Sequence, residues 1–196
     1  MTKNPAWFLS QAAQKERRWE RVLYVLAALT EALQPEHVRP ILVGGSALEF
    51  YTLGDYATRD IDLVAEERRV VGQALEKLGF EHLPGQRHWY HEALDISIEI
   101  PDEKLAGSEE KTTTVDVQGT GVEIIAPEDL LIDRLAAFKY WHSAGDGEWA
   151  ARLYAIHEES MDLDYLEQRA EAEKVADALE EIKARAKRLW RGQGKT

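Results

Sequence analysis

The chain contains no cysteine. That absence excludes disulfides and thiolate metal sites, so any metal must be held by oxygen or imidazole, which points to magnesium before zinc. There is no run of about 20 apolar residues to span a bilayer, and the N-terminus, MTKNPAWFLSQ, lacks the apolar core of a secretory signal. A cytoplasmic protein with no membrane partner is the expectation. Positive charge is also short: 36 acidic residues against 24 basic give a formal net charge of −12. Such a balance opposes a broad, sequence-independent grip on nucleic acid and leaves room only for a small local contact. Both common phosphate loops are missing, since no lysine follows the glycine-glycine-serine turn and no GxGxxG is present. Internal repeats and low-complexity tracts are absent too. What remains is 196 residues, 44% hydrophobic and 31% charged, enough for one sizeable core or a core with a helical appendage.

The stretch that organises the rest is residues 39–64, RPILVGGSALEFYTLGDYATRDIDLV. An apolar run (Ile41, Leu42, Val43) stops at Gly44-Gly45-Ser46, a short helix is predicted over 47–53, and a strand over 60–64 alternates Asp60 and Asp62 with Ile61 and Leu63. Before it, apolar residues at helical spacing (Trp19, Val22, Leu26, Leu29, Leu33) predict one long helix over 6–33, ended before Pro35. After it come a helix over 67–78 capped by Gly79, a turn at Pro84-Gly85, a strand over 88–100 and a hairpin within 115–125. Pro127-Glu128-Asp129 opens a further helix, with proline in the first turn and acids at its positive end. A break at 143–147, a helix over 148–156 and a charged stretch over 162–189 follow, with the last five or six residues expected to be disordered. The order predicts an α+β protein: an N-terminal helix (1–35) packed on a core with a mixed sheet (36–126), then a C-terminal helical region (127–196).

The chemistry follows from spacing. A glycine pair and a hydroxyl at the end of a strand let backbone N–H groups approach an anion, and the helix that follows adds its positive end. In a strand, Asp60 and Asp62 point to one face, about 6–7 Å apart along the chain. Two such carboxylates repel unless a cation sits between them, and a hard divalent ion is the usual answer. Strict alternation between Leu94 and Ile100 puts Asp95, Ser97 and Glu99 on one face. If this strand lies beside the Asp60 strand, Glu99 or Asp95 becomes a third acid. Three carboxylates opposite an anion-binding turn would form a site for magnesium-bound phosphates, the third acid accepting the proton of an attacking hydroxyl.

Strand, GGS, helix, D-x-D strand and a later strand carboxylate resemble the nucleotidyltransferase superfamily with the polymerase-beta-like fold. GGSALEFYTLGDYATRDIDLV is similar to its small prokaryotic members, the AbiEii-like, toxin-type and related uncharacterised nucleotidyltransferases. APEDLLIDRLAAFKY resembles the helix after their catalytic sheet, whose lysine contacts nucleotide phosphates. The resemblance spans residues 40–157. It implies that Gly44, Gly45 and Ser46 hold the triphosphate, that Asp60, Asp62 and Glu99 bind magnesium, one ion or two, and that Lys139 contacts phosphate. IEIP, ending the third strand before a loop, is similar to the third-carboxylate segment and favours Glu99 over Asp95. The implied reaction moves a nucleoside monophosphate from a nucleoside triphosphate to a hydroxyl on RNA (a tRNA end), a protein side chain or a small molecule such as an aminoglycoside. The alternative is a non-catalytic nucleotide-binding or toxin–antitoxin-type interaction member of the same fold. One departure concerns the toxin relatives, which carry a basic residue and an aspartate after the first C-terminal helix; here AGDGEWAARL offers Asp146.

Bland readings compete for the remaining candidates. Arg59 is expected to salt-bridge on the far face, and Lys139 also suits a helix C-terminus electrically. The cluster His88-Trp89-Tyr90-His91 is read as cross-strand packing before base stacking. His82, His88 and His91 lack a zinc-ligand spacing.

Overall fold

Among the described residues a seven-stranded mixed sheet occupies the first of two units, residues 1–125, and four helices lie in the second, residues 126–196. The computed structural model describes residues 4–82, 85 and 87–193, with side chains to residue 189. The turn expected at Pro84-Gly85 and the terminal disorder fall partly or wholly outside those residues.

In the first unit, α1 (Pro5–Ala12) and α2 (Arg18–Leu33) precede β1 (Ile41–Val43), α3 (Gly44–Tyr51), β2 (Asp60–Val64) and α4 (Arg68–Lys77). Then come β3 (Glu81–His82), β4 (His88–His91), β5 (Ile96–Asp102), β6 (Thr113–Val117) and β7 (Thr120–Ile124). The sheet order is β3-β4-β5-β2-β1-β7-β6. β2 runs antiparallel to β1 and parallel to β5, and β7 is parallel to β1. Ile61, Leu63, Ile96, Ile98 and Ile100 are all at most 1% exposed, which fixes the strand register because a one-residue slip would turn them all to the other face.

In this unit three expectations change. The long N-terminal helix is two, because Lys15, Glu16 and Arg17 give the 13–17 segment no apolar face to pack. Arg17 is extended (φ −82°, ψ 131°), and Arg21 Nη2 donates to the Lys15 carbonyl at 3.0 Å, closing the break. The strand over 88–100 is a hairpin, β4 and β5, folded at a 3-10 turn (Glu92–Leu94) that ends on Asp95 in left-handed backbone, φ +50°. Finally, α3 begins at Gly44 rather than Ala47, so the glycine pair forms the first helical turn.

The second unit holds α5 (Pro127–Tyr140), α6 (Ala144–His157), α7 (Leu163–Ala172) and α8 (Ala176–Gln193) around Leu130, Leu131, Leu135, Leu153, Leu166 and Ile182. The expected break at 143–147 shrinks to a cap. Ser143 precedes α6 and its hydroxyl accepts from the Asp146 N–H at 3.3 Å. Gly147 lies under Phe138, where a Cβ would come 2.6 Å from the ring. Among the described residues no helix is long and apolar enough to cross a membrane.

Candidate active site

β2 carries Asp60 and Asp62 half-buried on one face, with Ile61 and Leu63 buried on the other. β5 runs beside it in parallel with Asp60 opposite Ser97 and Asp62 opposite Glu99. Neighbouring strands stand about 4.8 Å apart, so Asp62 and Glu99 are adjacent on the same face, both half-buried. On the far side of Glu99, β4 sets His88 in register. His88 Nδ1 is 3.9 Å from Glu99 Oε2, too far for a hydrogen bond, and is buried with no hydrogen-bond partner among the described residues.

The glycine turn meets this row through β1. Val43, the last residue of β1, pairs with Asp62, and the chain turns into α3 at Gly44 with φ +60°. A Cβ on Gly44 would stand 2.4 Å from Asp62 Oδ2. Only glycine fits there, for its positive φ and for the carboxylate pressed against it. α3 starts with no cap from the Val43 side chain and no acid in its first turn; the leading N–H groups of a helix have no intrahelical partner, and its first turn carries positive partial charge.

Ser46 has a different task from the one its motif implies. It is 2% exposed, its hydroxyl donates to the Asp60 carbonyl at 2.9 Å, and it accepts from Arg18 Nη1 at 3.4 Å. Arg18 also ion-pairs with Glu49 of α3 and donates to the Arg59 carbonyl at 2.8 Å. Burial pushes the Glu49 carboxyl up, against the pull of the Arg18 guanidinium. Arg18, Ser46 and Glu49 thus brace α2, α3 and the start of β2 together. Arg18 and Glu49 were invisible to sequence reasoning because 31 residues separate them and neither belongs to a motif. Arg59 itself is exposed and makes no ion pair among the described residues.

Asp95 drops out of the carboxylate row. It sits before β5, exposed, and accepts the Tyr90 hydroxyl at 3.0 Å; the 3-10 turn breaks the alternation that had put it in phase with Glu99. Lys139 Nζ is occupied within the second unit, donating to Asp177 Oδ1 at 2.6 Å and to the Lys174 carbonyl at 2.7 Å. Asp146 accepts from Arg134 Nη1 at 2.9 Å and from the Ser143 hydroxyl at 2.5 Å, a capping role. His82 stacks on the buried Trp89 at 4.6 Å and His91 meets Phe80 at 5.0 Å, which is packing. Among the described residues no three His, Asp or Glu side chains stand close enough to cage an ion unaided. A magnesium ion does not need such a cage, since it commonly takes one or two carboxylates and completes its shell with phosphate oxygens and water.

A strand, an uncapped glycine turn, a D-x-D strand and a parallel carboxylate strand define the core of a nucleotidyltransferase fold. The chain is similar over 81% of its length to the crystal structure of an antigenic nucleotidyltransferase-like protein from Paracoccidioides brasiliensis, covering 89% of that chain at 16% identity with a TM-score of 0.55. It is also similar to the solution structure of the antibiotic-resistance factor ANT(2'')-Ia, at 16% identity over 78% of this chain and 91% of that one, with a TM-score of 0.49. No curated protein matches it. Residues 20–193 match the family described as nucleotidyltransferase of unknown function (DUF6036), and the chain belongs to that family. It is accordingly an enzyme of nucleotidyl transfer.

Proposed function

We propose that the protein transfers a nucleoside monophosphate from a magnesium-bound nucleoside triphosphate to a hydroxyl. The observation that carries this reading is the contact of the Asp62 carboxylate with Gly44, while Asp62 neighbours Glu99 in register. Carboxylates and a phosphate-binding turn share one place, and two kinds of anion meet there only across a cation. Asp60 and Asp62 would hold magnesium together with the phosphates, and the metal would supply charge neutralisation. The N–H groups of Gly44 and Gly45 hold the polyphosphate at the positive end of α3. Glu99 accepts the proton of the acceptor hydroxyl as its oxygen bonds the α-phosphorus, and the bond to pyrophosphate breaks. The net charge of −12 favours an acceptor that needs no broad cationic surface: a small molecule, a protein side chain or the end of a tRNA.

Calorimetry with each of the four nucleoside triphosphates, with and without magnesium, tests the reading. One of them binds only with magnesium present, and Asp60→Ala and Asp62→Ala abolish that binding. In a labelled-nucleotide assay with lysate and RNA acceptor pools, both variants lose on the order of 100-fold or more in pyrophosphate release. A wild-type protein that binds no triphosphate overturns the proposal.

A further inference from the structure

The hydroxyl that faces the glycine turn belongs to Thr58, not to Ser46. Ser46 is buried, its proton is committed to the Asp60 carbonyl, and Arg18 takes one of its lone pairs. Thr58 lies two residues ahead of Asp60, in the segment that leads into β2, and is half-buried. A Cβ placed on Gly45 would come 3.0 Å from Thr58 Oγ1, 3.1 Å from Thr58 Cβ and 3.3 Å from the edge of the Tyr56 ring. The Thr58 side chain therefore rests directly on the second glycine of the turn. Its hydroxyl has no hydrogen-bond partner among the described residues.

Three observations converge at this spot. The first turn of α3 has no cap from the Val43 side chain, and the leading N–H groups of a helix are donors without intrahelical partners. Gly45 is kept bare by the side chain lying against it, so the turn cannot be filled from its own sequence. The Thr58 hydroxyl beside it can donate a proton and has no acceptor among the described residues. A phosphate oxygen is the acceptor that suits a donor next to backbone N–H groups at a positive helix end.

Resting on the nucleotidyl-transfer reading, we infer that Thr58 is a substrate-binding residue whose Oγ1 donates to a phosphate oxygen of the triphosphate lying on the Gly44-Gly45 turn. Ser46 serves the same site at one remove, by fixing α3 to the backbone of Asp60. The segment 55–59 thereby becomes part of the nucleotide site as well as the approach to the aspartates.

Thr58→Val keeps the branched shape and removes the hydroxyl, and Thr58→Ser keeps the hydroxyl and removes a methyl. Thr58→Ala replaces the valine variant should that one fail to fold. Affinity for the triphosphate that binds wild type is measured with magnesium by calorimetry, alongside thermal melting. The valine variant binds about tenfold or more weakly at an essentially unchanged Tm, because one hydrogen bond to a charged group is lost. The serine variant binds within about twofold of wild type, since that bond is kept. Wild-type affinity in the valine variant, or equal losses in valine and serine, overturns the role of Thr58 while leaving nucleotidyl transfer standing. Absence of triphosphate binding by wild type overturns both.

Discussion

Acids do opposite jobs in the two units. At the start of α5, Glu128 and Asp129 are 7% and 0% exposed, and each is tied into the protein. Glu128 accepts the Asp162 N–H at 2.7 Å, and Asp129 takes the Tyr165 hydroxyl at 2.9 Å and Arg169 Nε at 2.9 Å. On the sheet of the first unit, Asp60 and Glu99 remain half-exposed. Asp60 has no hydrogen bond or ion pair through its side chain among the described residues, and Glu99 has only His88, at 3.9 Å. A buried carboxylate without a partner would cost several kcal/mol, so the α5 acids must be matched internally. Half-exposed acids gathered on one face repel one another at a tolerable cost, and that repulsion is what a bound cation relieves. The same residue types are thus structural where they are saturated and available where they are not.

The largest stability effect expected from this contrast is that of Arg169→Met. It leaves the fully buried Asp129 carboxylate without its cation, for a loss of about 3–5 kcal/mol in chemical denaturation. Asp60→Ala, measured the same way, leaves stability unchanged or slightly raised. If Asp60→Ala unfolds the protein as readily as Arg169→Met does, the distinction between saturated and available acids is broken.

Legibility in the sequence followed the range of the interaction. Local alternation placed β2, and the apolar stop at Gly44 placed β1, both with the bounds the structure shows. Alternation also put Glu99 on the correct face, yet it ran on through Asp95, because nothing in the run LDISIEI marks the 3-10 turn that ends there. The N-terminal break failed for a similar reason: three charged residues fit a helix surface as well as a loop, and only Arg21 bonding to the Lys15 carbonyl decides between them. The work of Ser46 could not be read at all. Its motif suggests a phosphate contact, whereas Arg18, 28 residues away, and the Asp60 backbone determine what its hydroxyl does. Thr58 escaped notice because a threonine before an aspartate carries no signal until Gly45 is seen beneath it.

A middle-sized effect comes from Asp133, half-buried on α5. Burial pushes its carboxyl up from 3.8 to about 6, with Asp129 and Glu173 pushing the same way and Arg134 and Arg169 opposing. A carboxyl raised in the folded state favours folding while it is protonated. Its contribution is complete below the unfolded value near 3.8 and is lost as pH rises through about 6. Above that, the ionised group opposes folding. Asp133→Asn should therefore stabilise the protein by about 1–2 kcal/mol at pH 7.5, a figure reduced for partial solvent access, and the gain should vanish by about pH 4. Equal gains at both pH values would mean that the amide acts through packing and that Asp133 is not one of the strained acids.

The smallest effect expected is the most telling for the comparison. The resemblance implies a phosphate contact for Lys139, but its amino group bridges Asp177 and the Lys174 carbonyl, where Tyr140 also donates, at 3.1 Å. The Lys139 ammonium holds the Asp177 carboxyl below the usual range, as an exposed ion pair does. Lys139→Met should lower Tm only slightly, because such pairs add little and salt screens them. Triphosphate affinity should stay within about twofold of wild type, too small a change for a lost contact to a charged phosphate. If instead affinity falls tenfold or more at an unchanged Tm, the phosphate role that the resemblance implies for Lys139 stands, and the lysine is not one of the saturated charges of the second unit.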